Sequence, residues 1–230
     1  MPEIDRTRLP ARARDLAARL GVRADDRNSL VTLTQTGRMK RQLGDPSWMS
    51  FDATQTLCTR FCAFEWRARF GPLGVLSVRD ALQNGEGKLD VTALGVIPIA
   101  RAGHTPELFR GELMRYLAEI AWAPDAILFN AALRWRDDGP DGLIVSAGSG
   151  EATAAVRLAL DSLGRIAGAH ASDRPRSVGA GAVPTPWTGQ FSDYRLHDNR
   201  WIPFAGEVAW EIDGRPETYW QGRIRTWTID

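Results

Sequence analysis

The chain has 230 residues, of which 43% are hydrophobic, and its 29 basic and 28 acidic side chains give a formal net charge of +1. This composition predicts a substantial hydrophobic core and excludes an intrinsically disordered chain. The basic residues form no stripe along the sequence, which argues against a protein that binds nucleic acid.

The sequence offers no segment suited to membrane insertion or export. No apolar run is long enough to span a bilayer, and the first ten residues lack the apolar core of a signal peptide. We therefore expect a cytoplasmic protein without an integral membrane segment. Cys58 and Cys62 have no second pair at zinc-ligand spacing, so we expect them to be free thiols.

Periodicity in the first half of the chain predicts one helix and then a series of strands. Apolar residues recur at helical spacing over residues 8–22. Alternating apolar and polar residues then predict strands between residues 29 and 101. We assign residues 1–27 to an N-terminal helical segment and residues 28–230 to a single domain, because no repeat or linker interrupts the latter.

The most distinct helix of the sequence follows these strands. Thr105 suits the N-cap position and Pro106 suits the first turn. The helical pattern continues to about Trp122, where Pro124 interrupts it, and residues 125–129 suit a second short helix. A helix of this kind in a β-rich protein is expected to cover an open end of the sheet or to line a cavity.

Strand-like segments resume at residue 131 and continue to residue 228. Residues 174–185 are rich in Gly, Pro, Ser and Ala, and we interpret them as a mobile loop. The sequence as a whole therefore predicts about ten or eleven antiparallel strands. A sheet of this length is expected to wrap around a core or a cavity. We therefore predict a mainly β fold of the α+β class with a central helix and a short N-terminal helix.

One face of the central helix carries ionisable residues. Glu112, Arg115, Tyr116 and Glu119 form a stripe beside an apolar stripe. On a solvated surface they would form a salt-bridge ladder of little energetic consequence. Over a cavity, burial would raise the pKa of one carboxyl group while Arg115 kept the other ionised, which places an acid and a base together. The sequence leaves both interpretations open.

The chain contains nine tryptophans, most of them in predicted strands or at strand ends. Large aromatic side chains pack well on pleated surfaces, so core packing is their more common role. A wall around an apolar ligand is the alternative. The candidates for ligand contact are Phe64, Trp66, Trp122, Trp187, Trp210 and Trp220, together with His104, which precedes the central helix.

Several segments resemble an uncharacterised bacterial protein family. They are Pro-Ser-Trp-Met at 46–49, Phe-Glu-Trp-Arg-Ala at 64–68, the helix Gly-Glu-Leu-Met-Arg-Tyr-Leu-Ala-Glu at 111–119, and Tyr-Trp-Gln-Gly-Arg-Ile at 219–224. The closing strands also resemble those of the LolA-like lipoprotein-carrier half-barrels, through Tyr194-Arg195, Ile202-Pro203 and Glu207-Val208. This resemblance implies an unclosed antiparallel half β-barrel, with helices in its mouth and an apolar cavity beneath them.

Two functions fit this picture. The first is cytoplasmic binding of a hydrophobic small molecule or acyl chain in the cavity. The second is a cofactor-independent enzyme in which Glu112 or Glu119 serves as acid or base with help from Arg115 and Tyr116. Its reactions would be epoxide opening, or isomerase, lyase or cyclase chemistry on an apolar metabolite. Binding is favoured because the residues indicate a container more clearly than a mechanism.

The sequence contains none of the motifs that hold common cofactors or metals. It has no phosphate-binding Gly-Lys-Ser loop, no dinucleotide-binding glycine fingerprint, no His-Glu-x-x-His and no nucleophile elbow. We therefore expect neither a cofactor nor a metal ion. The oligomeric state is not indicated.

Overall fold

One antiparallel sheet organises the molecule. The computed structural model describes residues 9–71, 74–93, 97–103, 105–179 and 181–230. Within these ranges the strands are β1 Leu30–Met39, β2 Met49–Cys58, β3 Phe64–Phe70, β4 Leu76–Gln83, β5 Glu86–Ala93, β6 Ile97–Gly103, β7 Arg134–Asp137, β8 Gly142–Ala147, β9 Ala154–Leu160, β10 Ile166–Val178, β11 Gly181–His197, β12 Arg200–Ile212 and β13 Arg215–Ile229.

The strand order places the two halves of the chain side by side. It reads β6-β5-β4-β3-β2-β1-β13-β12-β11-β10-β9-β8-β7, so one meander runs from β1 to β6 and another from β7 to β13. The two meanders meet at the antiparallel β1–β13 ladder, and β6 and β7 lie at the edges. The sheet does not close into a barrel. The predicted half-barrel is therefore confirmed, with thirteen strands in the described residues against about ten or eleven predicted.

Alternation along the strands separates a buried inner face from an outer face. In β3, Phe64, Trp66, Ala68 and Phe70 are buried, whereas Arg67 and Arg69 are exposed. The same period of two buries one residue in two along β1 and β2. The inner face therefore carries large aromatic and aliphatic side chains, as its sequence pattern predicts.

The segment interpreted as a mobile loop, residues 174–185, is instead a strand pair. β10 extends to Val178, β11 begins at Gly181, and the ladder pairs Arg174 with Thr185. Pro175 lies opposite Pro184, so the missing N–H donors of the two prolines fall at one pair of the ladder. The composition of residues 174–185 indicated a loop, but the pairing of the two extended strands determines the structure of this segment.

Three α-helices are present in the described residues. They are α1 Ala11–Arg19, α2 Pro106–Ala118 and α3 Ala126–Phe129, and a 3₁₀ turn, Glu119–Ala121, continues α2. The predicted N-cap is confirmed, because the Thr105 side chain accepts a hydrogen bond of 3.1 Å from the Leu108 backbone N–H. None of these helices is long and apolar enough to cross a bilayer.

Helix α2 covers the concave face of the sheet. It follows edge strand β6 and, with α3, leads the chain to the opposite edge strand, β7. On its way α2 contacts β4 and β5 in one half of the sheet and β8, β9 and β10 in the other. The lid position that the sequence suggested for this helix is therefore the one it occupies.

Helix α1 packs against the core rather than standing apart. Its residues Ala13, Leu16 and Ala17 are buried, and it contacts α3. The division into residues 1–27 and 28–230 stays a prediction.

A buried ion pair ties this region to the sheet. The Arg200 guanidinium on β12 donates to both carboxylate oxygens of Asp125, at 2.8 and 2.9 Å, and also reaches Gly21 O and Asp26. One arginine thereby connects β12, the start of α3 and the segment that follows α1.

Candidate functional site

A cavity of about 180 Å³ lies between α2 and the inner face of the sheet. Its wall is mainly aromatic and aliphatic, and five charged side chains interrupt it. The predicted tryptophans that line it are Trp66, Trp122, Trp187 and Trp220, and the charged residues are Asp80, Arg115, Glu119, Arg174 and Glu207. Both halves of the sheet and the end of α2 contribute to one enclosed space.

Three of the indole N–H groups around this cavity are already bonded to protein atoms. Trp122 Nε1 donates to Pro203 O at 2.9 Å, Trp187 Nε1 donates to Tyr219 Oη at 3.1 Å, and Trp66 Nε1 donates to Gln35 at 3.0 Å. These rings are therefore fixed in orientation, and the surface they offer to a guest is apolar.

Two glycines make room for the aromatic wall. A Cβ added at Gly222 would lie 2.3 Å from Trp220 Cη2, and one added at Gly206 would lie 3.2 Å from Trp122 Cζ2. Gly206 and Gly222 are register partners on neighbouring strands. The bare backbone at this point of the sheet lets two tryptophan rings approach it closely, which a side chain at either position would obstruct.

Arg115 is the centre of the polar side of the cavity. Its Nε donates to Glu119 at 2.8 Å and its Nη1 donates to Asp80 at 2.5 Å. Its guanidinium also lies 4.7 Å from the ring centroid of Phe64. Burial opposes the charge, but Glu119 and Asp80 outweigh it and hold the pKa of Arg115 above its ordinary value. Of the two acids predicted to pair with Arg115, only Glu119 does so, and Asp80 from β4 takes the place of Glu112.

A chain of hydrogen bonds leads across the inner face to Glu119. Gln35 accepts from Trp66 and donates to Gln55 at 3.2 Å, and Gln55 in turn donates to Glu119 at 2.5 Å. Burial raises the pKa of Glu119, although Arg115 and Gln55 act in the opposite direction. Each amide in this chain is oriented by its neighbours, so the carboxyl group of Glu119 is held in one position.

Glu112 occupies a different environment one turn earlier in α2. Its side chain is buried, and the pKa of its carboxyl group is raised well above the usual range by burial and by the neighbouring charge of Asp80, which Arg174 and Arg115 only partly offset. Glu112 Oε2 and Asp80 Oδ1 have no hydrogen-bond partner among the described residues. A proton held on Glu112 would give both oxygens a hydrogen bond.

Tyr116 is directed away from this cavity. Its hydroxyl donates to Cys58 O at 2.8 Å and accepts from Asn130 Nδ2 at 2.9 Å, and the side chain is fully buried. Burial raises the pKa of its phenol well above the ordinary value. The structure therefore does not bring Tyr116 together with Arg115 and Glu119, although the helical pattern placed them on one stripe.

The remaining predicted residues lie behind the cavity wall or outside the described ranges. Phe64 is buried beneath Arg115, and Trp210 stacks on Tyr219 with ring centroids 6.1 Å apart. His104 lies outside the described residues. The roles assigned to the predicted site residues, as catalysts or as ligand contacts, stay predictions.

Sequence reasoning missed Asp80 and Arg174, both of which line the cavity. The strand pattern could have indicated Asp80, because residues two apart in a strand lie on the same side of the sheet. Asp80 therefore shares the side of Val78 and Leu82 on β4. Arg174 fell inside the segment interpreted as a loop. Within the described ranges, no three His, Cys, Asp or Glu side chains are grouped as metal ligands would be.

Solved structures share this architecture at low sequence identity. A domain from Vibrio parahaemolyticus, described as an outer membrane lipoprotein-sorting protein, is 11% identical with a TM-score of 0.51, and the match covers 95% of this chain and 90% of that one. A DUF1329 family protein from Desulfovibrio piger is 12% identical with a TM-score of 0.51, covering 95% and 92%. These two similarities show the fold.

A LolA superfamily protein from Nitrosomonas europaea is 8% identical with a TM-score of 0.47, covering 95% of this chain and 93% of that one. The similarity to the lipoprotein-sorting domain from Vibrio parahaemolyticus confirms, at the level of fold, the resemblance to lipoprotein-carrier half-barrels predicted from the closing strands. No curated protein matches the chain. The model of a family of unknown function, DUF6920, matches residues 7–228, and the chain therefore belongs to that family.

Proposed function

We propose that this protein binds a small apolar molecule in the cavity beneath α2. The observation that carries the proposal is the aromatic wall of Trp66, Trp122, Trp187 and Trp220. The N–H groups of the first three already donate to protein atoms. Burying apolar groups of a guest against such a surface stabilises the complex by about 25 cal/mol per Å² of apolar area removed from water. The similarity to a lipoprotein-sorting domain supports the same class of ligand. We place this activity in the cytoplasm.

The size of the cavity limits the guest. Drug-sized ligand sites enclose roughly 300–1,000 Å³, whereas an apolar cavity of about 150 Å³ accepts benzene. At about 180 Å³, this cavity suits a single ring or a short acyl chain. A longer acyl chain would require α2 to move away from the sheet.

The first experiment is native mass spectrometry of the purified protein, followed by solvent extraction and identification of any bound molecule. We expect a small apolar compound, or uptake of one when it is added. Trp220→Ala should weaken that uptake, because it removes part of the wall. Trp201→Ala is the matched control, since Trp201 is 37% exposed and does not line the cavity. An empty protein that also takes up no apolar probe would contradict the proposal.

The acidic groups at the polar side favour a second candidate function, cofactor-independent acid/base catalysis on the same guest. Burial raises the pKa of Glu112, which favours its acid form, and Glu119 is held in position beside Arg115. Epoxide opening and isomerase, lyase or cyclase reactions require such a pair. A binding protein should tolerate Glu119→Gln, whereas an enzyme should lose turnover with Glu112→Gln or Glu119→Gln and still bind substrate.

A further inference from the structure

Arg174 is buried in the wall of the cavity. The side chain extends from β10, the residue is 8% exposed, and it lines the space beneath α2. Its guanidinium lies over two indole rings, 4.6 Å from the centroid of Trp187 and 5.5 Å from that of Trp210. Stacking of this kind covers the face of the guanidinium and leaves its hydrogen-bonding edge available.

No carboxylate satisfies this edge. Among the described residues Arg174 forms no side-chain hydrogen bond or ion pair, and its buried Nε has no hydrogen-bond partner. Two other arginines differ: the partly buried Arg115 is paired with Asp80 and Glu119, and the buried Arg200 is paired with Asp125. A buried cation without a counter-ion is unfavourable unless an anion is supplied from elsewhere.

The acids near Arg174 have other bonding partners or are buried beside another acid. Asp80 is paired with Arg115, and Glu207 accepts a hydrogen bond of 3.0 Å from Gln221. Glu112 interacts electrostatically with Arg174, but its burial beside Asp80 favours the neutral acid. Arg174 is thus surrounded by aromatic rings and by Glu112, whose pKa is raised by burial, and no described residue bonds to it directly as a counter-ion.

We propose that Arg174 binds the carboxylate of a small apolar monocarboxylic acid whose hydrocarbon part fills the aromatic cavity. This inference rests on the function proposed above and names the class of ligand. Arginine matches the planar geometry of a carboxylate with two parallel hydrogen bonds. The guest carries a single negative charge, because Asp80, Glu119 and Glu207 line the same space and would repel a dianion such as a phosphate ester.

The test compares guests that differ only in charge. Benzoate and benzyl alcohol, and hexanoate and 1-hexanol, match the cavity in size, and binding to the full chain is measured by titration calorimetry at pH 7. A charge-assisted hydrogen bond makes us expect each acid to bind at least about tenfold more tightly than its alcohol. Equal affinities for acid and alcohol would overturn the inference while leaving the proposed function intact. If neither acid nor alcohol binds, both fail.

Variants at Arg174 test whether this residue causes the preference for acids over alcohols. Arg174→Met should abolish the preference for the acids and retain binding of the alcohols. Its thermal midpoint without ligand should equal or exceed that of the wild type, because an unpaired buried charge has been removed. Arg174→Lys keeps the charge without the planar fork and should retain only part of the preference. A preference for acids that survives in Arg174→Met would overturn the assignment.

A dianionic probe tests the restriction to one charge. Phenylphosphonate resembles benzoate in size and carries a larger negative charge near neutral pH. We expect it to bind at least about tenfold more weakly than benzoate, because three carboxyl groups line the cavity. Tighter binding of phenylphosphonate would show that the site recognises a phosphoryl group and would overturn the assignment to a carboxylate.

Discussion

The carboxyl groups of Glu112 and Asp80 are neighbours in a place from which water is largely excluded. Asp80 has Arg115 as its counter-ion, whereas no cation among the described residues forms an ion pair with Glu112. Two neighbouring negative charges would repel each other strongly in the interior of the protein. The arrangement is therefore most stable when Glu112 carries a proton.

This protonation predicts how stability depends on pH. The pKa values of Glu112 and Glu119 are raised in the folded protein, so the folded state binds more protons than the unfolded state above about pH 4.5. The free energy of unfolding should therefore be greatest below that pH for these groups, and should fall as the pH rises through the folded-state pKa values. Each unit by which a pKa is raised corresponds to about 1.4 kcal/mol.

Glu112→Gln removes the largest source of this dependence, because the amide resembles the protonated acid. We expect urea unfolding to show a smaller loss of stability between pH 5 and pH 8 than in the wild type, and a more stable protein at pH 8. Glu107→Gln on the exposed first turn of the same helix is the control and should keep the wild-type dependence. Identical pH profiles for Glu112→Gln and the wild type would argue that Glu112 is ionised.

Gly222 supports the cavity by the absence of a side chain. In Gly222→Ala the new methyl group would overlap Trp220, and the ring would have to leave its stacked position against Phe51. We expect a loss of about 1–3 kcal/mol in the free energy of unfolding, with a shift in tryptophan fluorescence. Gly181→Ala, where the added carbon meets open space, should leave both properties unchanged. If Gly222→Ala changed neither the free energy of unfolding nor the fluorescence, the Trp220 ring would be free to move.

At the scale of elements, the Arg200–Asp125 pair determines how α1 is held. Asp125→Asn removes the fully buried carboxylate that pairs with Arg200 and leaves Asp26 as its charged partner. Breaking a buried pair costs about 3–5 kcal/mol. We expect a loss of this order in the free energy of unfolding and faster proteolysis near residue 22. Asp193→Asn breaks an ion pair with the 57%-exposed side chain of Arg195 and should cost far less, because solvent screens an exposed pair. Equal costs for the two variants would contradict this account.

The helices and strands also differ in how far they could be predicted from the sequence. The start of α2 at Thr105 and the alternating faces of β3 follow from local patterns, and both are confirmed. The β10–β11 pair was not recognised, because composition near Pro175 outweighed the alternation. The partners of Arg115 depend on how the sheet curls: Asp80 approaches Arg115 from 35 positions away in the chain, a contact that no helical spacing encodes.

At the scale of the whole molecule, the two halves of the sheet and α2 together set the length of the guest. In a series of n-alcohols, affinity should rise by about 0.8 kcal/mol per added CH₂ until the cavity is full, and then stop rising. Leu89→Ala, which removes part of the wall, should move that limit to a longer alcohol. Calorimetric titration of both proteins with the same series checks this. An unchanged limit in Leu89→Ala would place the guest elsewhere.

The strand order also has a consequence for the synthesis of the protein. Val31, near the start of β1, pairs with Ile229, near the end of β13, so the ladder at the middle of the sheet is formed by parts of the chain that are made far apart in time. Until β13 emerges from the ribosome, β1 and β12 each present an unpaired edge, which invites association with other chains. Contacts so distant in sequence also slow folding. A nascent chain of this protein is therefore exposed to association with other chains until β13 is complete.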